Sequence, residues 1–297
     1  FYLPYLLKKI VKEINPHVIH TQGIRSDMLS AHFLKEYKRI ATLRNYPYED
    51  YKMTYGKILG TFMAYHHINS LKKIDIPVVC SESIKMKVKP HRLKALVVRN
   101  GVDQNIFYPV TKEEKQFLRK KLEIPDDKNV FISVGHLNSR KDPETVIRGF
   151  LSSVAKDNSL LLMIGDGPLR KSLQKKYENQ SNVKFLGRKG NVDEYLKLSD
   201  YFISASLSEG LPNSVIEALA CQVPVILSNI EQHKEILNFN VLAGKLFKVK
   251  NYLDLTSKIN EFTDYKQAQK ACMSIINKHL SASNMSKNYQ SLYSREQ

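Results

Sequence analysis

The sequence predicts an α/β protein built on doubly wound parallel sheets. Two observations carry this. Short β-branched apolar runs recur along the chain, and most are continuous rather than alternating, as in strands buried on both faces. Helical patterns separate them, giving a βαβ rhythm throughout. Strands are expected at "HVIH" (17–20), "IATL" (40–43), "PVVC" (77–80) and "ALVV" (95–98). Five more are expected at "VFISV" (130–134), "SLLLMI" (159–164), "VKFL" (183–186), "YFISA" (201–205) and "VPVIL" (223–227). Among the helical patterns are "SDMLSAHFLKEYK", "DPETVIRGFLSSV" and "GPLRKSLQKKY".

One stretch breaks the rhythm. "NGVDQNIFYPVTKEEKQFLRKKLEIPDDKN" holds a Gly turn, two prolines and a fresh helix start, with Thr111 and Glu114 at capping-box spacing. It divides the chain into a first domain over 1–110 and a second over 111–280, followed by a C-terminal helix over 281–297. The second domain holds about five expected strands. The first holds four and opens in mid-helix ("YLPYLLKKIVKEI"), as a doubly wound domain lacking its first strands would.

Composition narrows the function. The 297 residues suffice for two domains with their own cores, and no apolar run reaches the roughly 18 to 20 residues that span a bilayer. Three widely spaced cysteines, Cys80, Cys221 and Cys272, argue for a reducing, cytoplasmic setting and against a disulfide framework or zinc site. The net charge is +17, and residues 1–110 carry 18 Lys and Arg against 8 Asp and Glu. Such an excess either attracts anionic lipid, nucleic acid or phosphorylated ligands, or simply clothes solvated faces. No basic motif interleaved with aromatic residues is present, so nucleic acid is not the expected partner.

In open α/β sheets, ligands bind beyond the carboxyl ends of the strands. Four successive expected strands end in glycine-bearing loops: Gly135-His136 with Arg140-Lys141, Gly165-Asp166-Gly167, Gly187-Arg188-Lys189-Gly190, and Ser208-Glu209-Gly210-Leu211-Pro212-Asn213. One such loop is usually only a turn; four together, two of them basic, point to close backbone approach to an anionic ligand, and a diphosphate fits best. Pro212 is expected in the first turn of the helix "NSVIEALAC", whose apolar face is Val215, Ile216, Leu219 and Ala220. The first N–H groups of that helix would receive phosphate oxygens. Glu209 and Glu217 could address hydroxyls on either side of a diphosphate, or be an ordinary loop acid and an ordinary helix-flank acid.

The frame "EGLPNSVIEALACQVPVI" resembles that of the retaining GT-B glycosyltransferases of family four. "VIHTQG", "VCSESI", "VVRNGVDQNIFYP", "SVGHLNSRKDPETVIRGF", "MIGDGPLRKSLQ", "VKFLGRKGNVDEYLKLSDYFISAS" and "SNIEQHKEIL" agree with it in order and spacing. The resemblance implies two Rossmann-like domains facing across a cleft, the first incomplete at its start, with a C-terminal helix returning to the first. It implies a nucleotide-diphosphate sugar as donor, a UDP-sugar foremost, no essential cofactor, and retention by attack on the face the nucleotide leaves. It further implies that Lys141 contacts the diphosphate, with Gly135, His136 and Arg140 beside it. Glu209 would bind the transferred sugar and Glu217 the ribose. The backbone of Gly210, Leu211, Pro212 and Asn213 would cradle sugar and phosphate, and Gly187 and Arg188 would lie beside the base.

Three departures stand out. His136 replaces the family's usual Arg, Arg44 replaces a common His, and the Gly-rich loop that follows the family's first strand is absent. Arg44 and Tyr46 are the acceptor-side candidates, and Tyr46, Tyr48 and Tyr51 are read as an acceptor-facing aromatic loop or, more commonly for such a stretch, a plain surface loop. No Asp-x-Asp pair occurs, so no metal is expected. The expected acceptor is a saccharide or lipid-linked saccharide of bacterial surface-polysaccharide synthesis, met at an anionic inner membrane face. The rival readings are a sugar-nucleotide binder without activity, a sugar-nucleotide epimerase or phosphorylase of the same fold, and a charge-driven nucleic-acid binder.

Overall fold

The computed structural model describes residues 2–262 and 265–294. The chain forms two compact units, one of residues 1–100, 209–211 and 285–297, the other of 101–208 and 212–284. The division falls at Asn100/Gly101, ahead of the expected 110.

The first unit is built on a parallel sheet of β1 (Val18–Thr21), β2 (Lys38–Leu43), β3 (Ile76–Val79) and β4 (Leu96–Val97), in that spatial order. The β2 strand is buried along five of its six residues, as a continuous apolar run covered on both faces must be. Ile40, Val78, Val98 and Leu292 form one core cluster, with Met285 and Tyr289 of the C-terminal helix Ala282–Tyr293 packed on it. "NYPYEDY", expected as a loop, is instead a helix, Pro47–Tyr55: Pro47 opens it with a preset φ, and Glu49 and Asp50 favour its positive end. Gly56, at φ 81°, turns the chain into a second helix, Lys57–Leu71.

The second unit carries six parallel strands, one more than expected. They are β5 (Asn129–Val134), β6 (Ser159–Ile164), β7 (Val183–Gly187), β8 (Tyr201–Ser204), β9 (Val225–Ser228) and β10 (Gly244–Phe247), in the order β10-β9-β8-β5-β6-β7. Counted within the unit, that is the 3-2-1-4-5-6 order of dinucleotide-binding folds, with its reversal between β5 and β8. The β6 strand is buried at every residue. Phe131, Ile147, Phe150, Leu161, Ile203 and Ile226 centre the core. The unit's first helix, Lys112–Lys121, starts on the expected capping box, with the Thr111 side chain on the Glu114 N–H and the Glu114 carboxylate on the Thr111 N–H.

Candidate functional site

In the second unit, hydrogen bonds tie the strand ends together past the strands themselves. The Gly135 N–H donates to the Ile164 carbonyl at 2.9 Å, Gly165 to Gly187 at 2.8 Å, and Leu137 to Asp166 at 2.8 Å. On the other side of the reversal, the Leu207 N–H donates to the Arg140 carbonyl at 2.8 Å. Gly165, at φ 136°, sits where a Cβ would occupy the space of the Gly135 carbonyl oxygen, so backbone runs against backbone. Gly187, at φ 68°, lies under the Arg170 guanidinium.

These ends enclose a cavity of about 370 Å³ lined by Gly135, His136, Gly165, Asp166, Arg188 and Lys189. His136 and Arg188 are exposed there. The Gly167 N–H and the Arg170 guanidinium, with the charge of His136, hold the Asp166 carboxyl below its ordinary range. Lys141 is half-buried and its methylenes run past Gly135. Arg140 donates from Nη1 to the Ser208 carbonyl at 2.9 Å, so its guanidinium braces the loop that follows β8.

The helix Asn213–Ala220 begins at Asn213 as expected, with Pro212 just ahead of its first turn rather than in it. Pro212 is its cap, at φ −73° and ψ 111°, because the extended ψ of Pro212 turns the chain into the helix. Asn213 is the exposed first helical residue, and Val215, Ile216, Leu219 and Ala220 are buried as expected. Glu217 is half-buried on this helix, and burial raises its carboxyl above the ordinary range.

Of the four glycine-bearing loops, three belong wholly to the second unit, whereas Glu209, Gly210 and Leu211 group with the first. Glu209 is only 6% exposed. A Cβ on Gly210 would fall on the Arg44 carbonyl oxygen, and the Asn100 amide donates to the Leu211 carbonyl at 2.8 Å. Arg44 donates from Nη1 to Asn100 Oδ1 at 2.6 Å and from Nε to Gln22 Oε1 at 3.1 Å. Arg44 therefore anchors both a buried amide and the β1 loop while its side chain stays exposed.

Beside it the first unit holds a second cavity, of about 340 Å³, lined by Gln22, Gly23, Arg44, Asn45, Asp50 and Tyr51. Tyr46 does not line it: its hydroxyl meets His91 Nε2 at 2.8 Å, and Tyr48 stacks on the same imidazole at 4.7 Å. Asn100 and Gln22 carried no expected role. Asn100 stands in the quoted "VVRNGVD", so an Asn-Gly just past a strand was the signal that could have found it. Among the described residues no cluster of three or more His, Cys, Asp or Glu could hold a metal ion. Among the described residues the three cysteines are buried and form no disulfide, and burial pushes the Cys221 thiol up to about 12.

Residues 114–279 match the sequence model of the family described as "Glycosyl transferases group 1". An uncharacterised glycosyltransferase of Methanocaldococcus jannaschii is 33% identical over 242 residues, covering 75% of this chain and 58% of that protein. A UDP-Gal:α-D-GlcNAc-diphosphoundecaprenol α-1,3-galactosyltransferase of Escherichia coli is 29% identical over 182 residues, 59% of this chain and 46% of that one. The chain thus spans about half the length of these curated relatives. The solved structure of Anabaena HepE in complex with UDP and glucose superposes with a TM-score of 0.82 over 98% of this chain and 82% of that one, at 16% identity. That likeness is one of fold, two parallel-sheet Rossmann-like domains of the GT-B type.

Proposed function

The chain belongs to the glycosyl transferases group 1 family, and from that premise we propose that it moves a sugar, with retention, from a nucleoside-diphosphate sugar to a saccharide or lipid-linked acceptor. One observation carries the reading. The second unit has dinucleotide-fold strand order, and its glycine-bearing ends next to the reversal are stitched backbone to backbone around a cavity with basic walls. Bare backbone lets a diphosphate approach closely, and the exposed Arg188 supplies opposite charge. The E. coli relative is named for a UDP-sugar and a lipid-linked saccharide, and HepE holds UDP and glucose, which favours UDP among donors.

In this reading Lys141 and the first N–H groups of the helix Asn213–Ala220 offset the charge that builds on the departing diphosphate. Glu209 orients the sugar and Glu217 accepts hydrogen bonds from the ribose hydroxyls. The bond from the anomeric carbon to the diphosphate oxygen breaks as the acceptor oxygen bonds on the same face, and the acceptor proton leaves with the nucleotide.

Thermal stabilisation of the protein by UDP-, GDP- and ADP-sugars tests the donor, with UDP-sugars expected to raise Tm most. Stabilisation by none of them would remove the reading. Stabilisation without transfer to any acceptor would favour the rival of a binder without activity. Glu209→Ala should cut turnover by about a thousandfold while leaving nucleotide affinity in place. Lys141→Ala should weaken UDP binding by roughly ten- to a hundredfold, the worth of a charged hydrogen bond.

The acceptor reading includes an anionic membrane surface, for which the first unit supplies an exposed feature. The helices Pro47–Tyr55 and Lys57–Leu71 leave Met53, Tyr55, Ile58, Leu59, Phe62 and Tyr65 in solvent, Ile58 at 89% exposure. Lys52 and Lys57, both exposed, lie among them. Apolar side chains set among lysines suit the boundary of an anionic bilayer. No described helix is long and apolar enough to cross a membrane.

A further inference from the structure

The wall of the first unit's cavity is backed by a buried chain of polar groups for which the proposed transfer chemistry has no use. The Tyr51 hydroxyl lies 2.7 Å from His67 Nδ1, and His67 Nε2 lies 2.8 Å from Asp27 Oδ2. Asp27 and His67 are 0% and 1% exposed. The second oxygen of Asp27 is buried without a hydrogen-bond partner. A carboxylate and an imidazole in such a place cost stability that apolar side chains of the same volume would not. Tyr51 stacks on His67 with rings 16° apart, so the imidazole is fixed by packing as well as by hydrogen bonds.

With Asp27 as a carboxylate and His67 as a neutral imidazole, the order of the chain assigns a direction to each proton. An ionised carboxylate only accepts, so Asp27 fixes the imidazole proton on Nε2. His67 Nδ1 then offers a lone pair, and the Tyr51 hydroxyl donates into it. The Tyr51 oxygen keeps its lone pairs for the cavity and has no proton to give there. The same cavity presents donors from Arg44, whose Nε holds Gln22 by its amide oxygen, leaving the Gln22 NH₂ to donate. A polyol is the ligand that can give to one wall and take from another.

We propose that Tyr51, polarised by Asp27 and His67, receives a hydrogen bond from one hydroxyl of the acceptor saccharide and so selects which hydroxyl faces the donor. This rests on reading the first unit as the acceptor side. Tyr51 is the specificity-determining contact, and Asp27 and His67 are positioning residues that act through it. The prediction that separates this chain from a merely structural one concerns polarity: the cavity favours a ligand group that donates over an oxygen that can only accept.

Three measurements on the full chain test it. Nitrogen-15 NMR of histidine-labelled protein, with the His67 signal assigned by its loss in His67→Gln, should show a neutral ring protonated on Nε2; an imidazolium or an Nδ1–H form overturns the proposal. Saturation-transfer NMR with methyl α-glucoside, N-acetylglucosamine and their monodeoxy forms reads the cavity without turnover. Tyr51→Phe should lower affinity about tenfold for the parent sugars and leave one monodeoxy form unaffected. Equal binding by wild type and variant, or no binding by wild type, overturns it. With a working donor, Tyr51→Phe should raise the acceptor KM about tenfold and leave the donor KM unchanged; an effect confined to the donor counts against it. Failure of every sugar nucleotide to bind would sink the transfer reading, and the NMR experiments would still decide the role of Tyr51.

Discussion

At the scale of single residues, Glu217 and Gly210 carry physical constraints through which their proposed roles can be tested. Burial raises the Glu217 carboxyl, so between the unfolded and folded values the folded chain holds a proton that the unfolded chain has released. The stability tied to this group is therefore present below the unfolded value and lost as pH rises through the raised one. Glu217→Gln removes that loss: its Tm should exceed that of wild type at neutral pH, and the gap should close on acidification to about the ordinary carboxylate range. The same variant should weaken UDP binding by about tenfold if the carboxylate accepts from the ribose. A Tm below wild type at pH 7 would refute the burial argument. Gly210 allows no side chain, because a Cβ would meet the Arg44 carbonyl. Gly210→Ala should therefore displace Glu209 and abolish transfer while UDP still binds to the second unit, as read by calorimetry. The spacing of Glu209 and Glu217 was legible because it lies within one short stretch. Asn100 and Gln22 were not, since their roles come from Arg44, which long-range folding brings to both.

The element that sequence reading placed worst is also the most informative. In the hairpin of helices Pro47–Tyr55 and Lys57–Leu71, the first helix looked like a loop because its tyrosines crowd around a proline and no apolar period of 3.6 shows in "NYPYEDYKMTY", whereas the helical pattern around His66 and His67 was legible. The reason is that its two sides serve different ends. One side brings Tyr51 to His67 and His67 to the buried Asp27, and the other leaves Ile58, Leu59, Phe62 and Tyr65 in solvent. Its helices pack so closely that a Cβ on Gly60 would run into the Tyr51 carbonyl and come within 2.6 Å of the Lys52 N. Gly60→Ala should thus cost about 1–3 kcal/mol, the usual range for overpacking, despite the better helix propensity of alanine. A thermal melt matching wild type would show that the helices can part freely. The strand β10 escaped notice for a related reason: it is a four-residue edge strand with Lys245 exposed within it, and edge strands lack the continuous apolar run that identified β6. Central strands, buried on both faces, were legible from composition alone.

Across the whole chain, the charge of +17 is the feature whose sequence reading left most open, because lysines on a solvated face and lysines on a docking face look alike in a sequence. In the fold, exposed apolar side chains accompany Lys52 and Lys57 on one hairpin. Electrostatic attraction and apolar insertion respond differently to salt. Attraction between exposed charges fades as the screening length falls from about 10 Å at 0.1 M salt to about 3 Å at 1 M. Burial of Ile58, Leu59, Phe62 and Tyr65 in a headgroup layer persists or strengthens under the same change. Sedimentation with phosphatidylglycerol-rich vesicles should therefore fall steeply as salt rises from about 0.1 M to about 0.5 M and level off above zero. Replacing those four side chains with serine should remove the residual, salt-resistant part while the chain still folds, since all four are exposed. Lysines on a merely solvated surface would give no salt-resistant part in either protein. A nucleic-acid binder would instead hold unrelated duplex DNA with a steep salt slope and be indifferent to the serine changes. The two curves, with and without the apolar side chains, thus decide whether this basic half of the chain meets a membrane or only water.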